Sequence, residues 1–304
     1  MSDPRSGRVS RPGRMDWCCI GAQKAGTSTL YRLLREHPQI VIPASKEDPI
    51  FDADVTPEQV RHYLDARFAG AAAAAKCGTV TPQYLSAPDT AARMHRFVPR
   101  ARIVVLLRDP VRRAFSHYQM STLRGLETRS FDAAVADQLD TLERGQLHDL
   151  FSETDSYVVR GNYAWLLSDW FTRFGTGNIL TVFSEELDTA TAVTVERVHR
   201  FLGVDPRRPL SPDFRFNANP PRHRLSGSRR PVARALRRAG WDRINAERRE
   251  RISSRIERTA ARVLPAPSRE IAPATARRLR SYYELDRQPL AELIGVQPPW
   301  AVAR

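Results

Sequence analysis

Residues Gly21 to Ser28 read Gly-Ala-Gln-Lys-Ala-Gly-Thr-Ser, a set of types suited to holding an anion. Glycines at 21 and 26 let the backbone close around a phosphate-like group, the hydroxyls of Thr27, Ser28 and Thr29 can donate to it, and Lys24 adds an ammonium. That lysine stands out against its background. The 48 basic residues include three lysines, Lys24, Lys46 and Lys76, and the remaining 45 are arginines, so a lysine here marks a place where a compact charge is wanted. Kinase phosphate loops place Gly, Lys and Ser/Thr in direct succession. Here Lys24 precedes Gly26 by two residues, and Gly26 runs directly into Thr27. A lysine so placed reaches a group transferred along the loop axis, and no lysine flanks the hydroxyl that would hold magnesium. The chemistry expected is metal-free group transfer.

For the loop to act as a cradle it must join a strand to a helix, so that backbone N–H groups and the helix N-terminus converge. Met15 to Ile20 reads as a short apolar strand, and Thr27 to Glu36 carries Leu30, Leu33 and Leu34 at helical spacing. A second junction of the same kind follows. Ala101 to Leu107 is a continuous apolar run typical of a strand buried on both faces, and Asp109 and Pro110 cap and open a helix to about Arg124. Arg108 stands between them. Ala69 to Lys76 reads as a helical or linker stretch, with a loop after it punctuated by Pro82 and Pro88. Tyr163, Leu166, Leu167, Trp170, Phe171 and Phe174 form an amphipathic stripe that stops at Gly175, a pattern of core packing. Asn178 to Ser184 is a further strand, Val195 to Leu202 a helix ending at Gly203, and Leu279 to Ile294 a last apolar pattern after a charged helix near 244–263. Alternating strands and helices predict an α/β fold: a P-loop-like open parallel sheet flanked by helices in three layers. Residues 1–14 read as a disordered basic tail, and 15–304 as a single domain.

Composition limits the alternatives. With 304 residues and 41% hydrophobic content the chain can bury a core, and its formal charge of +14 favours anionic partners. The three cysteines, two of them adjacent, do not form a disulfide framework and point to a reducing, cytoplasmic setting. No metal-ligand spacing is present. The longest aliphatic run, Ile103 to Leu107, is far short of the roughly 20 residues of a membrane span. The arginine-rich stretch 222–238 is most simply a solvated charge run.

Several segments together resemble the sulfotransferases that use 3'-phosphoadenosine 5'-phosphosulfate, above all the heparan sulfate branch and its bacterial relatives. GAQKAGTSTLYRLLREHP is similar to that family's 5'-phosphosulfate loop, and RIVVLLRDPVRRAFSHYQM to its 3'-phosphate segment. SKEDPIFD at Ser45 to Asp52 resembles the stretch carrying the catalytic base, GTVTPQYL at Gly78 to Leu85 the substrate-facing loop. GNYAWLLSDWFTRFGTGNILTVFSEEL and LAELIGVQPPW add to the likeness. Pro49, Ile50 and Val80 depart from the pattern of the glycan-modifying members, which argues against a heparan-like acceptor. The family's C-terminal Lys-Gly-Arg cofactor loop is not recognisable.

The resemblance implies roles residue by residue. Lys24 neutralises the departing phosphate and Glu47 is the general base. Gln23, Lys24, Ala25, Gly26, Thr27, Ser28 and Thr29 hold the 5' end of the donor. Arg108 and Ser116 hold the ribose 3'-phosphate, and Arg222 or the 226–230 stretch takes the place of the C-terminal loop. Lys46, Thr81, Pro82 and Tyr84 face the acceptor, a small molecule or glycan. His117 is a second candidate base, although its place on a packed helix favours a structural role. Two other readings stay open: a P-loop small-molecule kinase, and a basic nucleic-acid-binding module, the latter disfavoured by the lack of aromatics interleaved with the arginine patch.

Overall fold

A computed structural model describes residues 12–146, 150, 152–207 and 270–300. Among these residues five strands form one sheet in the order β2-β3-β1-β4-β5. They are β1 (Trp17–Gly21), β2 (Ile40–Val41), β3 (Lys76–Val80), β4 (Arg102–Leu107) and β5 (Ile179–Phe183). β1 lies at the centre and pairs in parallel with β3 (Trp17 opposite Gly78) and with β4 (Trp17 opposite Arg102), and β2 pairs in parallel with β3. The helices are α1 (Thr27–Arg35), α2 (Pro57–Phe68), α3 (Thr90–Phe97), α4 (Pro110–Leu123), α5 (Phe131–Glu143), α6 (Tyr163–Phe174), α7 (Ser184–Thr189), α8 (Thr191–Leu202) and α9 (Pro273–Ile294). The expected α/β fold, a parallel sheet flanked by helices, is the one observed.

The chain groups into two compact units, each assembled from three separated stretches. The first comprises the described parts of Met1–Ala22, Thr27–Leu106 and Asp169–Phe214, and the second those of Gln23–Gly26, Leu107–Ser168 and Arg215–Arg304.

The first unit holds the sheet. Trp17, Cys18, Cys19 and Ile20 of β1 and Ile103 to Leu106 of β4 are fully buried, and each large apolar side chain removed from water contributes about 1.5–3 kcal/mol. Continuous apolar runs without alternation are what a strand covered on both faces requires. At the start of β4 the Arg102 guanidinium donates to the Phe201 carbonyl in the last turn of α8, a favourable place for a cation. Ala69 is the C-cap of α2, a turn follows, and Lys76 opens β3, so the stretch read as helix or linker is linker and strand. The alanines precede the strand, and β3 itself, Lys-Cys-Gly-Thr-Val, is short with a glycine at its centre, a residue type depleted in strands. The segment read as a tail has its last residues tied down: the Gly13 amide donates to Asp65 Oδ1 at 2.6 Å and Arg14 Nη2 to the carbonyls of Ala72 and Ala73 at 3.2 Å. Residues 1–11, the arginine stretch 222–238 and the charged helix near 244–263 lie outside the described residues.

The second unit has its own core, where Val111 and Ala114 of α4, Phe131 and Val135 of α5, Leu279 of α9 and the loop residue Tyr157 pack together. Asp109 caps α4 as its sequence position suggests, accepting from the amides of Val111 (2.8 Å) and Arg112 (3.1 Å). Pro289 interrupts α9 without ending it.

Candidate functional site

The loop after β1 is shaped by steric demand. At Gly21 a Cβ would lie 2.7 Å from Leu85 Cβ and 3.0 Å from the Pro82 carbonyl oxygen, so no side chain fits there. Gly26 has φ 94°, a backbone open to glycine and costly for other residues. Lys24 has φ 73°, and a non-glycine residue in this left-handed region costs on the order of 1–2 kcal/mol. Such strain persists only where surrounding contacts hold it.

Two arginines supply those contacts. Arg108 Nη1 donates to the Lys24 carbonyl at 3.1 Å, and Arg160 Nη1 donates to Gln23 Oε1 at 2.7 Å. Arg108 is itself positioned, since the Tyr163 hydroxyl donates to its carbonyl at 2.9 Å while Asp109 begins α4 beside it. Arg160 is buried, and its Nε and Nη2 hydrogens go to the Leu150 carbonyl. Gln23, Lys24 and Arg108 are therefore gathered as the sequence suggests. Arg160 is an addition that sequence reasoning missed. Its signal was a lone charge inside the apolar run Tyr157-Val158-Val159-Arg160-Gly161, where burial of an arginine demands a partner. Ala25 is fully buried, and Thr27 nearly so, at the start of α1; Ser28 and Thr29 are half-buried in the first turn, which carries no acidic residue to repel an anion.

In the first unit, Glu47 also has positive φ, 65°. The loop that carries it has no regular secondary structure and is fixed by side chains at several points. The Glu47 amide donates to the Val80 carbonyl (3.2 Å), and Lys46 Nζ pairs with Glu47 Oε1 at 2.5 Å. Arg67 Nε pairs with Asp48 at 2.5 Å, and the Tyr63 hydroxyl donates to the Asp48 carbonyl at 3.0 Å. The Tyr84 hydroxyl accepts from the amides of Ile50 (2.7 Å) and Phe51 (3.1 Å), and the fully buried Phe51 packs on Tyr84 and Phe97. Glu47 itself remains about half exposed, at 47%.

Thr81, Pro82 and Tyr84, expected to face the acceptor, are all buried. Tyr84 spends its hydroxyl on the Glu47 loop, so its observed part is to hold that loop. The Thr81 hydroxyl is buried without a hydrogen-bond partner, while its amide donates to the Cys19 carbonyl at 2.9 Å.

On α4, Ser116 is mostly buried, and no bond from it to Arg108 is formed. His117 is fully buried against the Tyr157 ring, with Nε2 3.6 Å from Glu153 Oε2. Burial above all pushes its pKa down to about 4, aided by the charges of Arg113 and Arg160 and opposed by Glu153. The imidazole is thus enclosed and held neutral, surroundings that suit a packed side chain better than a base. Arg222 and residues 226–230 lie outside the described residues. Among the described residues no cluster of three or more His, Cys, Asp or Glu is arranged around a cation position, and no helix is long and apolar enough to cross a membrane.

Residues 15–218 match the sulfotransferase domain family. The mouse bifunctional heparan sulfate N-deacetylase/N-sulfotransferase 4 is 27% identical over 211 residues, covering 65% of this chain and 23% of that protein. The mouse heparan sulfate glucosamine 3-O-sulfotransferases 3B1 and 6 are 28% identical over 187 residues (61% of this chain, 45% of the relative) and 30% identical over 233 residues (73% and 64%). The chain thus spans between about a quarter and just under two thirds of the length of these relatives. The crystal structure of a sulfotransferase from Alicyclobacillus acidocaldarius shares the fold, with a TM-score of 0.63 at 24% identity and coverage of 94% of this chain and 97% of that one. With two thirds of its length matched, and the strand-loop-helix of Lys24 and the junction of Arg108 inside the matched span, the chain belongs to the sulfotransferase domain family.

Proposed function

We propose that the protein transfers the sulfuryl group of 3'-phosphoadenosine 5'-phosphosulfate to a hydroxyl or amine of a carbohydrate, glycolipid or small metabolite, by in-line displacement and without a metal. The observation that carries this reading is the hydrogen bond from Arg108 to the Lys24 carbonyl. It joins the residue suited to the donor's 3'-phosphate to the residue suited to its 5' end. The family match and the heparan sulfate relatives support sulfuryl transfer to a carbohydrate-type acceptor.

The donor supplies an activated sulfur with the 5'-phosphate of adenosine 3',5'-bisphosphate as leaving group. Lys24 balances the charge that builds on the bridging oxygen as the S–O bond to phosphate breaks. Gln23, Ala25, Gly26, Thr27, Ser28 and Thr29 hold the phosphosulfate with amides and hydroxyls at the start of α1. Arg108, with Ser116, holds the 3'-phosphate by a planar fork and so selects this nucleotide over ATP. Glu47 accepts the proton as the acceptor oxygen or nitrogen forms its bond to sulfur, and Lys46, paired with Glu47 Oε1, faces the acceptor beside it. Thr81, Pro82 and Tyr84 shape the acceptor side and hold the Glu47 loop, and Arg222 contributes from the C-terminal segment. The buried thiols of Cys18, Cys19 and Cys77, none of them in a disulfide, support a cytoplasmic location.

Thermal shift with adenosine 3',5'-bisphosphate, compared with ATP and magnesium, tests the reading. Stabilisation by the bisphosphate is expected. Stabilisation by ATP and magnesium alone would make the protein a kinase, and binding of nucleic acid that vanishes with salt while the bisphosphate is ignored would make it a nucleic-acid module.

A further inference from the structure

Gln23 stands directly before Lys24, half-exposed, with its side-chain oxygen held by a buried guanidinium. A primary amide carries one acceptor end and one donor end, and arginine carries donors alone. Arg160 therefore fixes which way round the Gln23 amide lies: Oε1 is occupied at 2.7 Å, and the Nε2 hydrogens are the end left to meet a ligand. Arg160 has no comparable freedom of its own. It is 7% exposed, and its Nε and Nη2 hydrogens are committed to the Leu150 carbonyl. The positive charge behind the amide also polarises it, strengthening Nε2 as a donor.

We propose that Arg160 is a positioning residue that sets Gln23 as a hydrogen-bond donor to the sulfuryl oxygens during transfer. This rests on the sulfuryl-transfer reading above. The three negatively polarised oxygens on sulfur flatten into a plane as the group moves between phosphate and acceptor, and a preorganised N–H aimed at where they then lie acts on the transition state more than on the bound nucleotide. Lys24 serves the leaving phosphate and Gln23 the group in flight. Adjacent residues on one strained turn thereby divide two tasks.

The test compares Gln23→Glu, Gln23→Ala, Arg160→Met and the double variant Gln23→Ala with Arg160→Met. Turnover is measured with labelled donor and the best acceptor from a panel of hydroxyl- and amine-bearing sugars and phenols, together with bisphosphate affinity and melting temperature. Gln23→Glu keeps an acceptor for Arg160 and loses both N–H donors. Its melting temperature should equal or exceed that of the unaltered protein, while turnover falls roughly 100-fold and bisphosphate affinity changes less than about threefold. Arg160→Met should lower turnover by a similar factor, and should lower it by less than about twofold when Gln23 is already alanine. Full turnover in Gln23→Glu, or an undiminished Arg160→Met loss in the Gln23→Ala background, would overturn the role. Gln23→Glu decides the matter even if Arg160→Met does not fold. If the unaltered protein neither binds the bisphosphate nor transfers sulfuryl, the reaction itself is misread and the role falls with it; activity without coupling removes the role alone.

Discussion

The guanidinium of Arg108 and the carbonyl oxygen of Lys24 lie 3.1 Å apart in a hydrogen bond, although 84 residues of chain separate them. One side chain thus braces the backbone that aims the ammonium and still has N–H groups to offer a phosphate. Arg108→Ala should weaken binding of adenosine 3',5'-bisphosphate by roughly 10- to 100-fold, the range for hydrogen bonds to charged groups, and binding of AMP by far less. Calorimetry with the two nucleotides measures the difference. Equal losses for both would leave Arg108 as a brace only.

Lys24→Ala should lower turnover by roughly 100- to 1,000-fold, as for loss of a group that stabilises transition-state charge. The backbone at this position has the same positive φ for alanine as for lysine, so the melting temperature should change little. Single-turnover kinetics with saturating donor separates the chemical step from binding. A loss confined to donor affinity would argue against the leaving-group role.

Glu47→Gln should reduce turnover about 100-fold or more, the usual contribution of a general base, and leave bisphosphate binding intact. Glu47→Gly gives a second, opposite readout. Relief of about 1 kcal/mol of left-handed strain offsets the flexibility that glycine adds to the unfolded chain, so this inactive variant should melt no lower than the parent. Lost turnover without lost stability would mark Glu47 as a residue kept for chemistry and not for the fold.

Tyr84→Phe leaves the Ile50 and Phe51 amides without the oxygen they now share. An unpaired buried amide costs about 1–3 kcal/mol, and Phe51 is fully enclosed. Denaturant unfolding should show a loss within about 2–4 kcal/mol, since water can reach the partly open Ile50 side. Turnover should fall with it, because the same bonds fix the loop that carries Glu47.

Acid should destabilise the fold through two histidines. His117 and His199 are both held down to about 4 against an ordinary value of 6.5, chiefly by burial, with the neighbouring His37 adding to the effect at His199. Below 6.5 the unfolded chain binds protons that the folded chain refuses, so their contribution is complete above that pH and is lost between about 6.5 and 4. The slope approaches 1.4 kcal/mol per pH unit for each group in that window. His117→Phe should flatten the pH dependence of the unfolding free energy, and an unchanged slope would show that His117 is accessible to protons in the fold.

The two strand-to-helix junctions were legible because each carries its own punctuation: Gly21 and Gly26 around Lys24, and Asp109-Pro110 after a six-residue apolar strand. The Glu47 loop was legible only through likeness, because its order comes from distant side chains, Tyr63, Arg67 and Tyr84, that no local pattern announces. β3 went unread because it is five residues long, opens on a lysine and carries at its centre Gly78, a residue type depleted in strands. Arg160 was hidden for a related reason. Its partners are 137 residues away and a single backbone carbonyl, contacts that spacing along the chain cannot express.

Each compact unit is stitched from three stretches of chain, and the second takes just four residues, Gln23–Gly26, from the N-terminal region. No contiguous gene fragment encodes either unit, so neither can be excised for separate expression. Grafting a new acceptor preference onto this scaffold must proceed loop by loop, because any fragment long enough to span one unit also carries parts of the other.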